Sequence, residues 1–243
     1  MKTFKSSFLG KEILMSDKCK TIWGATVYGG EIQDELLIYN FYNSIIFNRN
    51  TINFFDIGSN TGSFIFLPVL NSTINCFAFE PNPLAYDVLL ENIEINNLQN
   101  NVHPYNMGLW HTAMELELKI PIDTTDSGLA TFGDNPSRFT YADKTGEFTK
   151  HKVKCETIDN MFQKLKLESL DIIKIDTEGA ELSIIKGGET TIKQFKPNIL
   201  LEFDNTNTGQ FGYKCDDIIL LLQSYGYTNF NLLGQSDLLA STL

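Results

Sequence analysis

From about residue 31 onward, apolar positions fall into two periods that alternate with one another. Residues 31–47 (EIQDELLIYNFYNSIIF) place apolar side chains at helical spacing, with acids near the start where the helix dipole favours them. A β-rich run, Ile52–Ile57, follows and gives way to Gly and Asn. Ile74 to Glu80 predicts a second strand, and residues 83–96 predict a helix with Pro83 in its first turn. Val102 to Met107 is a third strand candidate. Residues 115–120 and 148–155 read as further strands around a polar stretch without a period. Leu170–Ile175, Ile199–Phe203 and 228–233 complete the strands, separated by helices over about 180–194 and over 216–225.

Strands that alternate with helices predict βαβ units, hence a mostly parallel, doubly wound α/β sheet with helices on both faces. In such sheets ligands sit at the carboxyl ends of the strands, so the strand ends are where chemistry is sought. With no repeat, low-complexity tract or Pro/Ser linker, residues 1–243 are expected to form a single domain. Residues 1–50 then form an N-terminal cap, and 121–150 an insertion over the active site.

Composition narrows the classes. Hydrophobic content of 42% and aromatic content of 12% argue for a packed core and against disorder. The balance of 19 Lys+Arg against 30 Asp+Glu gives a net charge of −11, which disfavours a nucleic-acid partner, since phosphate neutralisation needs clustered cations. Cys19, Cys76, Cys155 and Cys215 lie far apart, with neither zinc spacing nor the density of a disulfide framework, and are expected to be buried free thiols. No charged n-region followed by an apolar h-region is found at the start of the sequence, so a secretory signal is not expected. The longest apolar run, Phe64 to Leu70, is too short to span a bilayer, so a cytoplasmic protein is expected.

The loop Asp56-Ile57-Gly58-Ser59-Asn60-Thr61-Gly62 follows a strand and precedes apolar residues that can open a helix, a place where backbone approaches a ligand closely. Its G-x-x-x-G spacing lacks the third glycine of a dinucleotide fingerprint and the Gly-Lys-Ser/Thr of a P-loop, which disfavours a pyrophosphate. Asp56 suits a cationic group, and Glu80, at the end of the next strand, suits the hydroxyls of a ribose. A nucleoside with an amino-acid tail, S-adenosylmethionine, satisfies these features together. The alternative is a glycine turn with solvated acids.

Three motifs carry a resemblance. Asp56-x-Gly58-x-Asn60-x-Gly62, then Phe79-Glu80-Pro81-Asn82-Pro83, then Lys174-Ile175-Asp176-Thr177-Glu178-Gly179-Ala180-Glu181 resemble the FkbM-type S-adenosylmethionine-dependent methyltransferases, from about residue 28 to 235. The resemblance implies a class I methyltransferase fold, a Rossmann-like seven-stranded sheet whose last strand is antiparallel, and O-methylation, commonly of sugar or polyketide hydroxyls. It places Asn106, in Asn106-Met107-Gly108-Leu109-Trp110, beside the adenine. The expected cofactor-binding set is Asp56, Gly58, Ser59, Asn60, Thr61, Gly62, Glu80, Pro81 and Asn106, with S-adenosylhomocysteine as product.

Asp176 and Glu178 follow one strand and Glu202 ends the next, so the three are expected to converge as the catalytic group, taking a proton from the acceptor or contacting it. The same acids suit a divalent metal, though no metal is predicted, and Glu178 alone suits a helix N-terminus. Glu181 reads as a helix-face acid. Weaker candidates are His111, Trp110, Tyr28, and an acceptor loop Asp126–Phe132 backed by Arg138 and Tyr141. The expected activity is methylation of a sugar hydroxyl of a glycan or glycoconjugate. The rivals are a non-sugar small-molecule or protein methyltransferase, and a non-catalytic nucleoside-binding module.

Overall fold

The computed structural model describes residues 2–20, 27–28, 31–32, 35–45, 50–122, 127–133, 148–233 and 236–242. A hairpin of β1 (Thr3–Phe8) and β2 (Lys11–Ser16) opens the chain. Two short strands, β3 (Val27–Tyr28) and β4 (Glu31–Ile32), and helix α1 (Glu35–Ser44) follow. Then come β5 (Ile52–Ile57), α2 (Leu67–Leu70), β6 (Ile74–Phe79), α3 (Pro83–Ile95) and β7 (Val102–Tyr105). The central part holds β8 (Gly108–Leu109), β9 (Met114–Pro121), β10 (Phe148–Glu156) and α4 (Ile158–Lys164). The C-terminal part runs β11 (Ile172–Ile175), α5 (Glu181–Lys186), α6 (Glu189–Phe195), β12 (Asn198–Glu202), α7 (Asn205–Gly209), α8 (Cys215–Ser224), β13 (Asn229–Leu232) and β14 (Asp237–Ser241).

The main sheet has seven strands in the order β13-β14-β12-β11-β5-β6-β7. β7, β6, β5, β11 and β12 are parallel, and β14 is antiparallel to its neighbours β12 and β13. This is the class I methyltransferase topology. Strand order reverses between β5 and β11, and the glycine loop and the Asp176 turn leave the sheet side by side there. All six residues of β5 are buried. Phe54 joins one apolar cluster with Phe64, Val88 and Leu89, while its neighbour Phe55 joins the other with Phe79, Ile175 and Ile184. That split is the period-2 alternation of a strand covered on both faces.

Several expectations need correction. The residues after the glycine loop form a 3-10 turn, Phe64–Phe66, and then the four-residue α2, because the segment is almost wholly buried and meets Pro68 at once. The helix expected over 180–194 is two helices, α5 and α6. Gly187-Gly188 has low helix propensity, and the Asp159 carboxylate accepts the Thr190 and Thr191 N–H groups, starting α6 afresh. The strands expected at 115–120 and 148–155 are both present, as β9 and β10, and pair in a separate three-stranded sheet ordered β8-β10-β9.

Within residues 1–50 the described hairpin packs on α3. The Asn92 side chain accepts from the Ser16 N–H at 2.8 Å and donates to the Thr61 carbonyl at 2.8 Å, so it ties the hairpin to the glycine loop. All four cysteines are buried and free. Among the described residues no helix is long and apolar enough to cross a membrane.

Candidate active site

Three strand ends build the site. At the end of β5, Gly58 and Ser59 donate their N–H groups to the Phe79 carbonyl at 2.9 and 3.1 Å, which holds the loop against β6. Gly58 has φ +77°, and a Cβ there would run into the Asp176 carbonyl oxygen, so this crossing of loop and turn requires glycine. Ser59 and Thr61 are buried, and Ser59 Oγ donates to the Asp56 carbonyl at 2.8 Å. Gly62, at φ +98°, turns the chain toward α2.

Glu80 follows β6. Its two carboxylate oxygens accept the N–H groups of Asn60 and Asn82, each at 2.7 Å, so one buried carboxylate joins the glycine loop to the start of α3. Burial pushes its carboxyl up to about 7, against the pull of those two N–H groups. Asn106 is exposed and donates to the Glu80 carbonyl at 2.9 Å and the Pro81 carbonyl at 3.4 Å. It therefore fixes the turn that carries Glu80.

Asp56 does not face the ligand space expected of it. Its carboxylate is buried 3.5 Å from the ammonium of Lys174, a strand residue that sequence reasoning left without a role. Lys174 also donates to the Gly58 carbonyl at 2.7 Å and lies 3.6 Å from Asp176. Burial raises the Asp56 carboxyl, opposed chiefly by Lys174, while the surrounding carboxylates raise the Lys174 ammonium against its own burial. A lysine inside the otherwise apolar run Ile172-Ile173-Lys174-Ile175 is the only sequence signal of this pairing.

The turn after β11 brings the acids together. Oxygens of Asp176, Glu178 and Glu202 lie within 4.8 Å of one another. Glu178 sits at φ +59°, a sparsely populated conformation for a non-glycine residue. What holds it is Glu181, which is wholly buried rather than on the outer helix face. Its Oε1 accepts from Thr177 N, Thr177 Oγ1 and Gly179 N at 3.1, 2.9 and 3.2 Å, and its Oε2 accepts from Tyr213 at 3.1 Å. Burial raises the Glu181 carboxyl.

Asn207, buried in α7 and also unmarked in the sequence, donates its amide to Glu178 Oε2 at 3.0 Å and Glu202 Oε1 at 2.5 Å. Its carbonyl occupies the space that a side chain on Gly179 (φ +106°) would need. Burial, and then the charges of Glu178 and Asp176, hold the Glu202 carboxyl well above its usual range.

A cavity of about 320 Å³ opens between these strand ends, within the size range of small-molecule sites. Of the expected residues, Gly58, Ser59, Asn60, Glu80, Pro81, Asp176 and Glu178 line it; Asp56, Thr61, Gly62, Asn106 and Glu202 do not. Met107, Leu109, Leu129 and Phe132 give this lining an apolar wall. The part of the expected acceptor loop that is described contributes Gly128 to Ala130 and Phe132 to this lining, and Thr131 Oγ1 donates to the Glu178 carbonyl at 3.2 Å. Trp110 packs against Phe132 and Phe211 behind that wall, and His111 lies outside it, on Ser183. Asp126, Arg138 and Tyr141 lie outside the described residues, as does the side chain of Tyr28.

Comparison with known proteins identifies a family and a fold. The family described as Methyltransferase FkbM domain matches residues 56–228. Methyltransferase sdnD of Sordaria araneosa is 26% identical over 166 residues, covering 60% of this chain and 64% of its own length. Hexuronic acid methyltransferase AglP of Haloferax volcanii is 27% identical over 132 residues, covering 54% and 48%. The chain thus spans less than two thirds of either relative. The crystal structure of methyltransferase FkbM from Methylobacillus flagellatus KT superposes with a TM-score of 0.53 at 15% identity, over 83% of this chain and 46% of that one, a likeness of fold.

Proposed function

The chain belongs to the methyltransferase FkbM family, and from that premise we propose that it is an S-adenosylmethionine-dependent O-methyltransferase acting on a sugar hydroxyl of a glycan or glycoconjugate. One observation carries the proposal: Gly58 from β5, Glu80 from β6 and the Asp176–Glu178 turn from β11 line the same cavity.

The lining fits the cofactor. The Glu80 carboxylate, fixed by two backbone N–H groups, retains lone pairs for ribose hydroxyls. The wall of Met107, Leu109, Leu129 and Phe132 suits an adenine ring, and the glycine loop leaves room for an amino-acid tail. Bound there, S-adenosylmethionine supplies an electrophilic methyl group on a sulfonium.

The chain's own residues do the rest. A sugar hydroxyl is a weak nucleophile, so alignment supplies most of the rate, and the turn is built rigid by Glu181, Asn207 and Thr131. As the acceptor oxygen would bond to the methyl carbon, with the carbon–sulfur bond breaking and S-adenosylhomocysteine leaving, its proton would pass to the Asp176–Glu178–Glu202 group, a general-base contribution of about 10²–10⁴-fold. The hexuronic acid named for the Haloferax relative supports a saccharide acceptor. Buried free thiols support a reducing, cytoplasmic setting.

The test incubates the purified chain with methyl-labelled S-adenosylmethionine and a panel of saccharides. Label in a sugar ether, lost in Asp176→Asn/Glu178→Gln, is expected; label only in a lipid or protein acceptor overturns the sugar assignment.

A further inference from the structure

The β1–β2 hairpin lies outside residues 56–228, the span of the family match, and none of its described residues lines the larger cavity. It reaches the glycine loop nonetheless, through one side chain of α3. We infer that Asn92 is a positioning residue that couples docking of the hairpin to the conformation of the glycine loop, so that the hairpin sets affinity for the methyl donor. The inference rests on the S-adenosylmethionine reading above and adds a remote element to that site.

The first argument is how the hairpin docks. β2 pairs with β1 along one edge only. On its other edge Leu14 and Ser16, two residues apart, meet two asparagines on successive turns of α3. Asn96 Oδ1 accepts from the Leu14 N–H at 2.9 Å and its amide donates to the Leu14 carbonyl at 2.6 Å. Asn92 Oδ1 accepts from the Ser16 N–H at 2.8 Å. The helix thus serves the strand edge as a neighbouring strand would.

The second argument separates the two asparagines. Asn92 is wholly buried, and its amide nitrogen donates to the Thr61 carbonyl at 2.8 Å and to the Cys19 sulfur at 3.5 Å. With its oxygen and nitrogen both engaged, one planar group holds Ser16 on one side and Thr61 on the other. The Asn96 side chain grips the same strand but bonds only to Leu14 and to the Asn92 carbonyl among the described residues, so it does not touch the loop.

The third argument is what the Thr61 anchor restrains. Asn60, the preceding residue, lines the cavity at φ +50°, a conformation that needs its surroundings to hold it. Glu80 Oε2 accepts the Asn60 N–H at 2.7 Å, and Asn92 fixes the carbonyl of the next residue. Freeing Thr61 therefore loosens Asn60, and with it a partner of the carboxylate that would meet the ribose.

The experiment titrates S-adenosylhomocysteine by calorimetry into the wild type, Asn92→Ala and Asn96→Ala, each checked for folding by circular dichroism. Asn92→Ala is expected to bind about five- to tenfold more weakly, the effect of one buried hydrogen bond. Asn96→Ala is expected to stay within about twofold, although its hairpin amides exchange faster. Coupling is reciprocal, so in the wild type S-adenosylhomocysteine must slow hydrogen exchange in residues 11–16, which do not touch it. That measurement decides alone if Asn92→Ala does not fold. Wild-type affinity in Asn92→Ala, equal weakening in both variants, or hairpin exchange indifferent to ligand overturns the inference. Absence of binding to the wild type overturns the S-adenosylmethionine reading itself, and the inference with it.

Discussion

The ammonium of Lys174 and the carboxylate of Asp56 lie 3.5 Å apart, and neither side chain has more than a small fraction of its surface in water. Removing one member of such a pair leaves the other charge buried alone. Lys174→Met is therefore expected to lower stability by about 3–5 kcal/mol. The double variant Lys174→Met/Asp56→Asn should recover much of that loss. Urea unfolding of the wild type, both single variants and the double variant checks this; equal losses in the Lys174 single and the double variant would contradict it.

Glu80 makes ligand affinity depend on pH. With its carboxyl near 7, it is ionised only above that pH, and the ionised form is the better acceptor for hydroxyl groups. Affinity for S-adenosylhomocysteine is expected to rise with pH through about 7 and to level off above it. For folding the sign is reversed. The unfolded carboxyl ionises near 4.5, so between 4.5 and about 7 the native chain binds more protons, and the stability this group contributes falls as pH rises through that window. Glu80→Gln should remove both dependences, seen by calorimetry and by thermal unfolding across the pH range.

The crossing of loop and turn tolerates no side chain at Gly58. Gly58→Ala places a Cβ against the Asp176 carbonyl at a positive φ, so a loss of about 1–3 kcal/mol in stability is expected, together with loss of ligand binding. Gly179→Ala strikes the Asn207 carbonyl and should lower kcat more than it raises the KM for the methyl donor, because it moves the acids and not the glycine loop. Steady-state kinetics separate the two variants, and a pure KM effect in Gly179→Ala would refute that assignment.

Glu181 is expected to behave as a clamp. Glu181→Ala leaves the Thr177 and Gly179 N–H groups without their acceptor, at about 1–3 kcal/mol for each buried group. Glu181→Gln keeps one oxygen in place and should retain most of the stability and turnover. Thermal unfolding with kcat for both variants decides it: equal damage would mean that the charge, and not the geometry, is what matters.

The parts of this molecule legible in the sequence are those fixed by local pattern. Ile52–Ile57 and Pro83–Ile95 announce themselves by apolar period and by an Asn-Pro start whose Asn82 side chain does cap the helix. The glycine loop, Glu80 and the Asp176–Glu178 turn were found from motif and placement, and they do meet in one cavity. What stayed hidden depends on tertiary contact. Asp56 looks like a ligand for a cation until β11 lays Lys174 beside it. Glu181 has the spacing of a helix-face acid, and only the docking of Tyr213 and the turn buries it. Asn207 sits in the five-residue α7 and has no local signal at all. The β1–β2 hairpin and β14 mix polar and apolar positions too evenly for their period to be read alone.

The most direct test of the whole account is calorimetric titration of S-adenosylhomocysteine into the wild-type chain and into Glu80→Gln at pH 8. One-to-one binding to the wild type, weakened about tenfold or more in Glu80→Gln, is the predicted result. No measurable binding to the wild type, or equal affinity in the two, would contradict the placement of the cofactor between the glycine loop and Glu80.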